Sequence, residues 1–303
     1  MRLDDYDPGD DIRDLGRGSG GGFGGGGGGG LGGLLIGFLP MLLGRKMGCG
    51  TILLIGAAAF FLLGPGANML SSGGGTADPA VDSRGGANVA CDTASERFAC
   101  NVFGSTHTVW EGLITGYRKP TLYFYEQSAR NSGCGAASSA MGPFYCPADQ
   151  GVYLDTSFFR ELEQKFGAAG DAAQAYVIAH EVGHHIQTIS GISDQVRRAQ
   201  QRASQAEGNA LQVRMELQAD CYAGVWAARA RNSAGQPVME EGDMEEAMRA
   251  ANAIGDDTLM RSAGQRPVPE SFTHGTSEQR MSWLRRGLQS GDPRQCDAFG
   301  AAG

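Results

Sequence analysis

Apolar residues recur every three or four positions through most of the chain after residue 90, which is the pattern of amphipathic helices. The predicted helices cover residues 93–115, 157–166, 171–189, 193–207, 209–231, 240–253 and 276–290. Residues 121–125 and 151–155 are short runs of apolar and aromatic residues, which predicts two strands. Residues 132–150 are rich in Gly, Ser and Pro and are predicted to form a loop. A small sheet followed by a helical bundle predicts a mostly helical α+β domain over residues 91–303.

The pattern of the first third of the chain is different. Residues 1–30 are acidic and then almost entirely Gly, which predicts a disordered tail. Two apolar blocks follow at residues 31–44 and 47–70, separated by Arg45 and Lys46. The second block has no charged residue, and its core at 47–63 can cross a bilayer as one helix.

A single transmembrane helix at 47–63 is the favoured interpretation of the membrane region, residues 31–64. The first block contains Gly and Pro40, so it could extend the span or lie in the membrane interface. A two-helix hairpin is a further alternative, but Arg45 and Lys46 would then be its entire turn. The Gly-, Ser- and Ala-rich residues 65–90 are predicted to be a flexible linker.

Basic residues predict the orientation of this span. No Lys or Arg follows the span until Arg84. Five basic residues precede it: Arg2, Arg13, Arg17, Arg45 and Lys46. The positive-inside rule therefore places the N-terminus in the cytoplasm and residues 91–303 on the other side of the membrane.

The helix predicted at 171–189 carries the pattern H-E-x-x-H at His180, Glu181 and His184. Residues four apart lie one turn above each other on a helix, so the two imidazoles can bind one zinc ion. Glu181 then projects beside them, where it can act as a general base. The flanking residues are apolar nearly all round, which predicts a buried helix, and buried His and Glu side chains need compensating partners. One Zn²⁺ is the predicted cofactor.

The third zinc ligand distinguishes the classes of zinc peptidase. A metzincin would carry Gly at position 187 and His at position 190, but Gln187 and Ser190 stand there. Downstream, Glu216 and Asp220 are four residues apart and share one face of the helix predicted at 209–231. We assign Glu216 to the metal and Asp220 to the spare ring N–H of a ligating His. The alternative is two surface acids on an amphipathic helix.

Four segments together resemble the bacterial neutral zinc metallopeptidase family. They are residues 142–149, 152–155, 175–187 and 216–226, and the resemblance extends over about residues 95–297. It implies a gluzincin-like zincin fold, with His180, His184 and Glu216 as metal ligands and Glu181 as general base. It also implies that the strand at 151–155 borders the cleft and pairs with an extended peptide or protein substrate. The alternative is an ordinary core strand, and the sequence alone does not separate the two.

The remaining histidines are weaker candidates. His274 lies just before the last predicted helix, after both ligand helices, and could hydrogen-bond the oxyanion of a tetrahedral intermediate. The alternative is a structural or solvated loop histidine. His185 follows a ligand directly and must face away from the metal, and His107 has no assigned role.

Composition narrows the choice of partners and compartment. The net charge of −8 and the lack of a basic stripe with interleaved aromatics argue against nucleic acid as a partner. Apart from Cys49, six cysteines lie in the predicted domain, which is typical of an oxidising compartment: Cys91, Cys100, Cys134, Cys146, Cys221 and Cys296. Six cysteines allow fifteen connectivities, so their spacing only suggests pairs.

The suggested pairs are Cys134 with Cys146, across a loop, and Cys221 with Cys296. Cys91 would then pair with Cys100, which raises a difficulty. In one continuous helix these residues would be about 13 Å apart, too far for a disulfide. Either that helix starts late or the pairing is wrong, and reduced structural cysteines remain an alternative.

The predicted function is that of a membrane-anchored zinc metalloendopeptidase of the bacterial inner membrane, with a periplasmic or otherwise extracytoplasmic catalytic domain. It would hydrolyse peptide bonds with a zinc-activated water and Glu181 as general base. The alternative is a catalytically silent zinc-binding scaffold or adaptor of the cell envelope. A structural zinc site normally has four protein ligands, mostly Cys and His, whereas three are evident here. The substrate and the cleavage preference are not predicted.

Overall fold

The computed structural model describes residues 1–3, 11–17, 90–138 and 141–300. Its strands are β1 (Ile12–Arg17), β2 (Thr121–Glu126), β3 (Ser128–Ser132), β4 (Gly135–Ser138), β5 (Phe144–Cys146) and β6 (Gly151–Leu154). Its α-helices are α1 (Ala94–Leu113), α2 (Ser157–Phe166), α3 (Asp171–Ile189), α4 (Ile192–Gln200), α5 (Gln205–Arg229), α6 (Asp243–Ala253), α7 (Asp256–Ser262) and α8 (Ser277–Ser290). Short 3₁₀ turns lie at Pro269–Ser271 and Pro293–Cys296. The predicted α+β class, helical with a small sheet, is confirmed for these residues.

Four strands form one sheet in the order β1, β2, β6, β5. The first three run parallel, and β5 runs antiparallel to β6. All four residues of β6 are buried, because it has a strand on each side. The prediction that the strand at 151–155 forms the cleft border is therefore wrong. The edge strand on that side of the sheet is β5, since no described strand pairs with its outer edge.

The segment predicted as a loop, residues 132–150, contains β4 and β5. These strands have four and three residues, too few to show an alternating pattern. β4 pairs with β3 in a separate hairpin, and the Cys134–Cys146 disulfide joins that hairpin to β5. The disulfide therefore ties the edge strand to the hairpin beside it.

Helix α3 lies at the centre of the helical layer, against α1, α5 and α6. A Cβ atom at Gly183 would lie 3.0 Å from the Ala219 backbone, so α3 and α5 approach closely at that point. On the other side of α5, Gly224 and Gly287 allow an equally close approach to α8, because a Cβ at either would overlap the opposite backbone. These small residues bring three helices together around one point on α5.

The N-terminal residues are part of this fold. β1 pairs with β2, with Ile12 opposite Leu122, and Leu3 is buried in the same hydrophobic core. The ammonium nitrogen of Met1 lies 2.6 Å from the Asp171 carboxylate at the start of α3. The prediction of a disordered tail is therefore wrong for residues 1–3 and 11–17. Local composition misled it, because the partner strand that orders β1 lies far along the chain.

The position of β1 restricts how the chain can be arranged at a membrane. β1 and β2 share hydrogen bonds in one sheet, so Arg17 and Ala90 lie on the same side of any membrane. The predicted span at 47–63 and the linker at 65–90 lie outside the described residues. None of the described helices is long and apolar enough to cross a bilayer. A single crossing with the N-terminus on the opposite side does not agree with the sheet.

The cysteines form the three suggested pairs: Cys91–Cys100, Cys134–Cys146 and Cys221–Cys296. The difficulty with the first pair is resolved by a late helix start. Thr93 caps α1 through a hydrogen bond from the Glu96 backbone, and Cys91 lies before the helix with φ 65°. The Cα atoms of Cys91 and Cys100 are consequently 6.2 Å apart rather than a helical distance.

Candidate metal centre

Three predicted ligands meet between α3 and α5. Nε2 of His180 lies 3.1 Å from Glu216 Oε2, and Nε2 of His184 lies 3.6 Å from the same oxygen. One donor atom from each residue lies within 4.8 Å of the other two. The two histidines are one helical turn apart on α3, and Glu216 reaches them because α5 packs closely at Gly183.

Each histidine uses its other ring nitrogen for a hydrogen bond within the protein. Nδ1 of His180 lies 2.8 Å from Asp220 Oδ1, and Nδ1 of His184 lies 2.9 Å from Gln187 Oε1. Both acceptors fix the tautomer that carries hydrogen on Nδ1, which directs the Nε2 lone pairs toward Glu216. Two imidazoles and one carboxylate with this arrangement fit a zinc ion that keeps an open position for water or substrate.

The ionisable groups of the metal centre strongly shift one another's pKa values. Burial lowers the pKa of His180, but the Asp220 and Glu216 carboxylates outweigh burial and raise it to about 10. Burial raises the pKa of Glu216, but the neighbouring His184, His180 and more distant His274 bring it well below its ordinary value. Histidine and carboxylate side chains bind a metal in their deprotonated forms, so zinc affinity at this site is expected to fall at low pH.

Asp220 is fully buried and accepts four hydrogen bonds. Besides His180, they come from the Tyr176 hydroxyl at 2.6 Å and from Nε and Nη2 of Arg280, each at 2.9 Å. Burial raises the pKa of Asp220, but Arg280 and His180 outweigh it and the net shift is downward. Asp220 therefore stays ionised and holds the His180 ring in place.

Arg280 and Tyr176 were missed in the sequence. Arg280 is 2% exposed and lies on α8, far from the H-E-x-x-H segment. It is one of three arginines in that helix, and nothing local distinguishes it from Arg285 or Arg286. Tyr176 did carry a signal, because it precedes His180 by four residues and so shares its helix face.

Glu181 is buried beside the edge strand rather than among the three ligands. The Tyr145 backbone in β5 hydrogen-bonds to its carboxylate. Burial raises the pKa of Glu181 above its ordinary value of 4.5, although the neighbouring His184 and His180 lower it. A raised pKa brings a carboxylate closer to the range in which a general base works best.

His274 is held by a tight loop around Asp256. Its Nδ1 lies 3.1 Å from Asp256 Oδ1, and Oδ2 of the same carboxylate accepts the backbone N–H groups of Thr273, His274 and Gly275. Burial raises the pKa of Asp256, but these bonds outweigh it and lower the pKa overall. The ring is therefore oriented by an ionised carboxylate.

His185 and His107 are not in the metal cluster of the described residues. His185 donates from Nε2 to the Arg118 carbonyl at 2.6 Å, and its Nδ1 accepts from the Tyr145 hydroxyl at 3.1 Å. His185 thus joins α3 to the edge strand β5. His107 is buried against Tyr117, and burial lowers its pKa to about 3.

Comparison with known proteins identifies the family to which this chain belongs. The family model described as "Putative neutral zinc metallopeptidase" matches residues 1–299. "Uncharacterized protein YpfJ" of Escherichia coli K12 is 53% identical over 208 residues, covering 67% of this chain and 71% of that protein. "Uncharacterized protein Rv2575" of Mycobacterium tuberculosis H37Rv is 45% identical over 206 residues, covering 65% and 68% respectively. No solved structure matches this chain.

Proposed function

This chain belongs to the neutral zinc metallopeptidase family, and from that premise we propose that it is a zinc-dependent endopeptidase with Glu181 as its general base. The observation that carries the proposal is the convergence of three donor atoms, from His180, His184 and Glu216, within 4.8 Å. Hydrogen bonds from Nδ1 of each histidine to a neighbouring side chain fix the two tautomers. Three protein ligands leave a fourth coordination position for water or substrate.

A zinc ion held by these three residues would activate a water molecule and polarise the scissile carbonyl. Glu181 accepts the proton of the attacking water and delivers it to the leaving amine. Its burial and raised pKa support this role, since the carboxylate must both take and release a proton. Asp220 keeps the His180 ring in register throughout.

We assign to His274 the stabilisation of the negative charge that develops on the carbonyl oxygen. Asp256 orients its ring through Nδ1, and in the imidazolium form, in which both ring nitrogens carry hydrogen, Nε2 donates a hydrogen bond to an oxyanion. The ring is close enough to the ligands to contribute to the lowered pKa of Glu216, which supports a location at the cleft.

The substrate is proposed to bind along β5. This strand has an unpaired outer edge among the described strands, and the Tyr145 backbone already contacts Glu181. An extended peptide there would add a strand through main-chain hydrogen bonds, which places its scissile bond beside the general base. His185 supports this edge by holding Tyr145 against α3.

The rival function is a silent zinc-binding scaffold. It would need the three ligands but would have no use for a buried Glu181 beside an exposed strand edge. Burying a carboxylate is unfavourable, and a purely structural site gains nothing from it. The retention of the base therefore favours the enzyme.

Zinc content tests the ligand assignment. Glu216→Ala is expected to weaken zinc binding by more than about 100-fold, because changes to the supporting partners of a ligand already cost about 10–100-fold. Zinc stoichiometry and competition with a chromophoric chelator measure this directly. Glu278→Ala, at an exposed position on α8, is the control and should bind zinc as the unaltered protein does. Equal zinc affinity of both variants would refute the assignment of Glu216.

We further propose that residues 90–300 lie outside the cytoplasm, at the bacterial inner membrane. Three disulfides support an oxidising compartment. Because β1 is a strand of the same sheet, we place residues 11–17 in that compartment too, rather than in the cytoplasm. Attachment through the apolar residues 31–64 then requires that the chain enter and leave the membrane on the same side, as in the two-helix hairpin, and stays a prediction.

Labelling of intact cells with a membrane-impermeant maleimide tests this arrangement. Cysteines introduced by Leu15→Cys and by Val268→Cys, each in a Cys49→Ser background, are expected to react equally before lysis. The native side chains at these positions are 43% and 45% exposed, so access is matched. Labelling of Val268→Cys but not of Leu15→Cys would contradict the proposal that both positions lie on the same side of the membrane. If neither position reacts until the cells are lysed, the domain is in the cytoplasm.

A further inference from the structure

The orientation of His184 depends on a chain of buried side-chain amides. Its Nδ1 donates to Gln187 Oε1, and Gln187 Nε2 donates to the Met215 carbonyl at 2.7 Å and to Gln218 Oε1 at 3.1 Å. Gln218 Nε2 in turn donates to the Cys296 carbonyl at 2.9 Å. Both glutamines are buried, so water cannot replace these bonds.

The two carbonyls set the direction of the whole chain. A backbone carbonyl only accepts hydrogen bonds, so the Cys296 carbonyl requires the NH₂ group of Gln218, which leaves Gln218 Oε1 facing Gln187. The Met215 carbonyl likewise requires the NH₂ group of Gln187, which leaves its oxygen facing His184. His184 must then carry hydrogen on Nδ1, and its Nε2 lone pair is free for a metal.

The far end of this chain is held by a disulfide. Cys296 closes the 3₁₀ turn Pro293–Cys296 and is bonded to Cys221, which lies on α5 one turn beyond Gln218. The disulfide therefore fixes the position of the Cys296 carbonyl relative to Gln218. The Cys91–Cys100 disulfide, in contrast, joins α1 to the residues just before it, and neither cysteine bonds to Gln187 or Gln218.

We propose that Gln187 and Gln218 are positioning residues for the zinc ligand His184, and that the Cys221–Cys296 disulfide anchors them. The inference rests on the proposed function only in taking His184 as a zinc ligand. The two ligating histidines then have different supports. His180 is oriented by the ionised Asp220 and Arg280, whereas His184 is oriented by neutral amides that end at the C-terminal turn.

The glutamines are tested by near-isosteric replacement. Gln187→Met is expected to weaken zinc binding by about 10–100-fold, since it removes the acceptor for His184 Nδ1. Gln218 contacts His184 only through Gln187, so Gln218→Met should weaken zinc binding by a smaller factor. The double variant should lose less than the product of the two single losses, because both changes act through one chain. Gln195→Met, at an exposed position on α4, is the matched control.

The anchor is tested by removing the Cys221–Cys296 disulfide from the full chain and, as a control, the Cys91–Cys100 disulfide. The Cys221→Ala/Cys296→Ala pair is expected to lower zinc affinity at least several-fold, while the Cys91→Ala/Cys100→Ala pair leaves it unchanged. Zinc affinity is read by chelator competition, and the absorption spectrum of bound Co²⁺ reports the coordination geometry. If the Cys221 and Cys296 variant does not fold, the glutamine variants decide the matter alone.

The outcomes separate this inference from the proposed function. Unchanged zinc affinity in Gln187→Met would overturn the positioning role. An equal loss of zinc affinity in the Cys221→Ala/Cys296→Ala and Cys91→Ala/Cys100→Ala variants would show that Cys221–Cys296 acts through general stability rather than as an anchor. Zinc binding without hydrolysis in the unaltered protein would overturn the proposed function and leave the positioning role standing. Failure of the unaltered protein to bind zinc would overturn both.

Discussion

Replacing Glu181 with glutamine is expected to reduce peptide hydrolysis by about 10²–10⁴-fold while zinc binding is retained. Glutamine has nearly the same shape as glutamate but cannot take a proton from water at neutral pH. Glu181 is not one of the three residues whose donor atoms converge, so its replacement leaves the metal ligands in place. The kcat/KM for an unstructured protein substrate and the zinc stoichiometry of the same samples measure both parts.

The control for Glu181→Gln is Glu161→Gln, on helix α2, whose carboxylate is not part of the metal cluster. It should hydrolyse the substrate as fast as the unaltered protein does. Undiminished cleavage by Glu181→Gln would refute the assigned base. If the unaltered protein binds zinc but hydrolyses no peptide, the scaffold function gains support instead.

The same pair of proteins can identify the substrate. Envelope proteins that are cleaved in cells with the unaltered protein, and remain intact in cells with Glu181→Gln, are candidate substrates. Because the variant retains its zinc and its fold, differences between the two sets of cleavage products report catalysis. Sequences around the cleaved bonds would then define the preference of the β5 edge.

Replacing Arg280 with methionine is expected to destabilise the fold by about 3–5 kcal/mol, because it leaves the Asp220 carboxylate buried without its charged partner. The Asp220 side chain is 0% exposed, so water cannot compensate the charge. Urea unfolding of the metal-free protein at neutral pH measures the loss. Arg285→Met, on the exposed face of the same helix, should change the stability by no more than about 0.5 kcal/mol.

A double variant distinguishes the loss of charge balance from the loss of packing. Arg280→Met combined with Asp220→Asn removes both charges and keeps an acceptor for His180, so part of the lost stability should return. A double variant no more stable than Arg280→Met alone would mean that packing dominates.

The difference in unfolding free energy between the Arg280→Met variant and the unaltered protein is expected to become smaller at acid pH. The pKa of Asp220 is lower in the folded chain than its ordinary value of 3.8. Its ionisation therefore stabilises the unaltered fold above that value, and this contribution is lost as the pH falls through the lowered pKa. Without Arg280 the carboxyl protonates at higher pH and the buried charge disappears. A gap in unfolding free energy that stays constant down to acid pH would contradict this account.

Much of the helical layer was predictable because helix periodicity is a local property. The predicted helices at 93–115, 157–166, 171–189 and 276–290 agree with α1, α2, α3 and α8 to within two residues. The predicted boundary between the helices at 193–207 and 209–231 is wrong, because α4 ends at Gln200 and Ser204 caps α5, which begins at Gln205. The other errors occurred where the apolar pattern was short. Helix α7 has seven residues and none of them is buried, so it has no apolar face to detect.

The cleft edge was misassigned for a related reason. The strand at 151–155 had a clear apolar pattern because it is buried between two others, and that pattern marks an interior strand rather than an edge. The true edge, β5, has three residues and only one is buried. Neither edge strand of the sheet, β1 or β5, was predicted from composition or periodicity.

The sequence by itself determined the identity and spacing of the candidate metal ligands. His180, Glu181 and His184 lie within two helical turns, and Glu216 and Asp220 are one turn apart, so local helix geometry was enough to relate them. Only the tertiary structure decided what surrounds them: Arg280 against Asp220, the Gln187–Gln218 chain to Cys296, and β1 in the sheet. These contacts join segments far apart along the chain, and no local pattern encodes which distant segment fills a buried position.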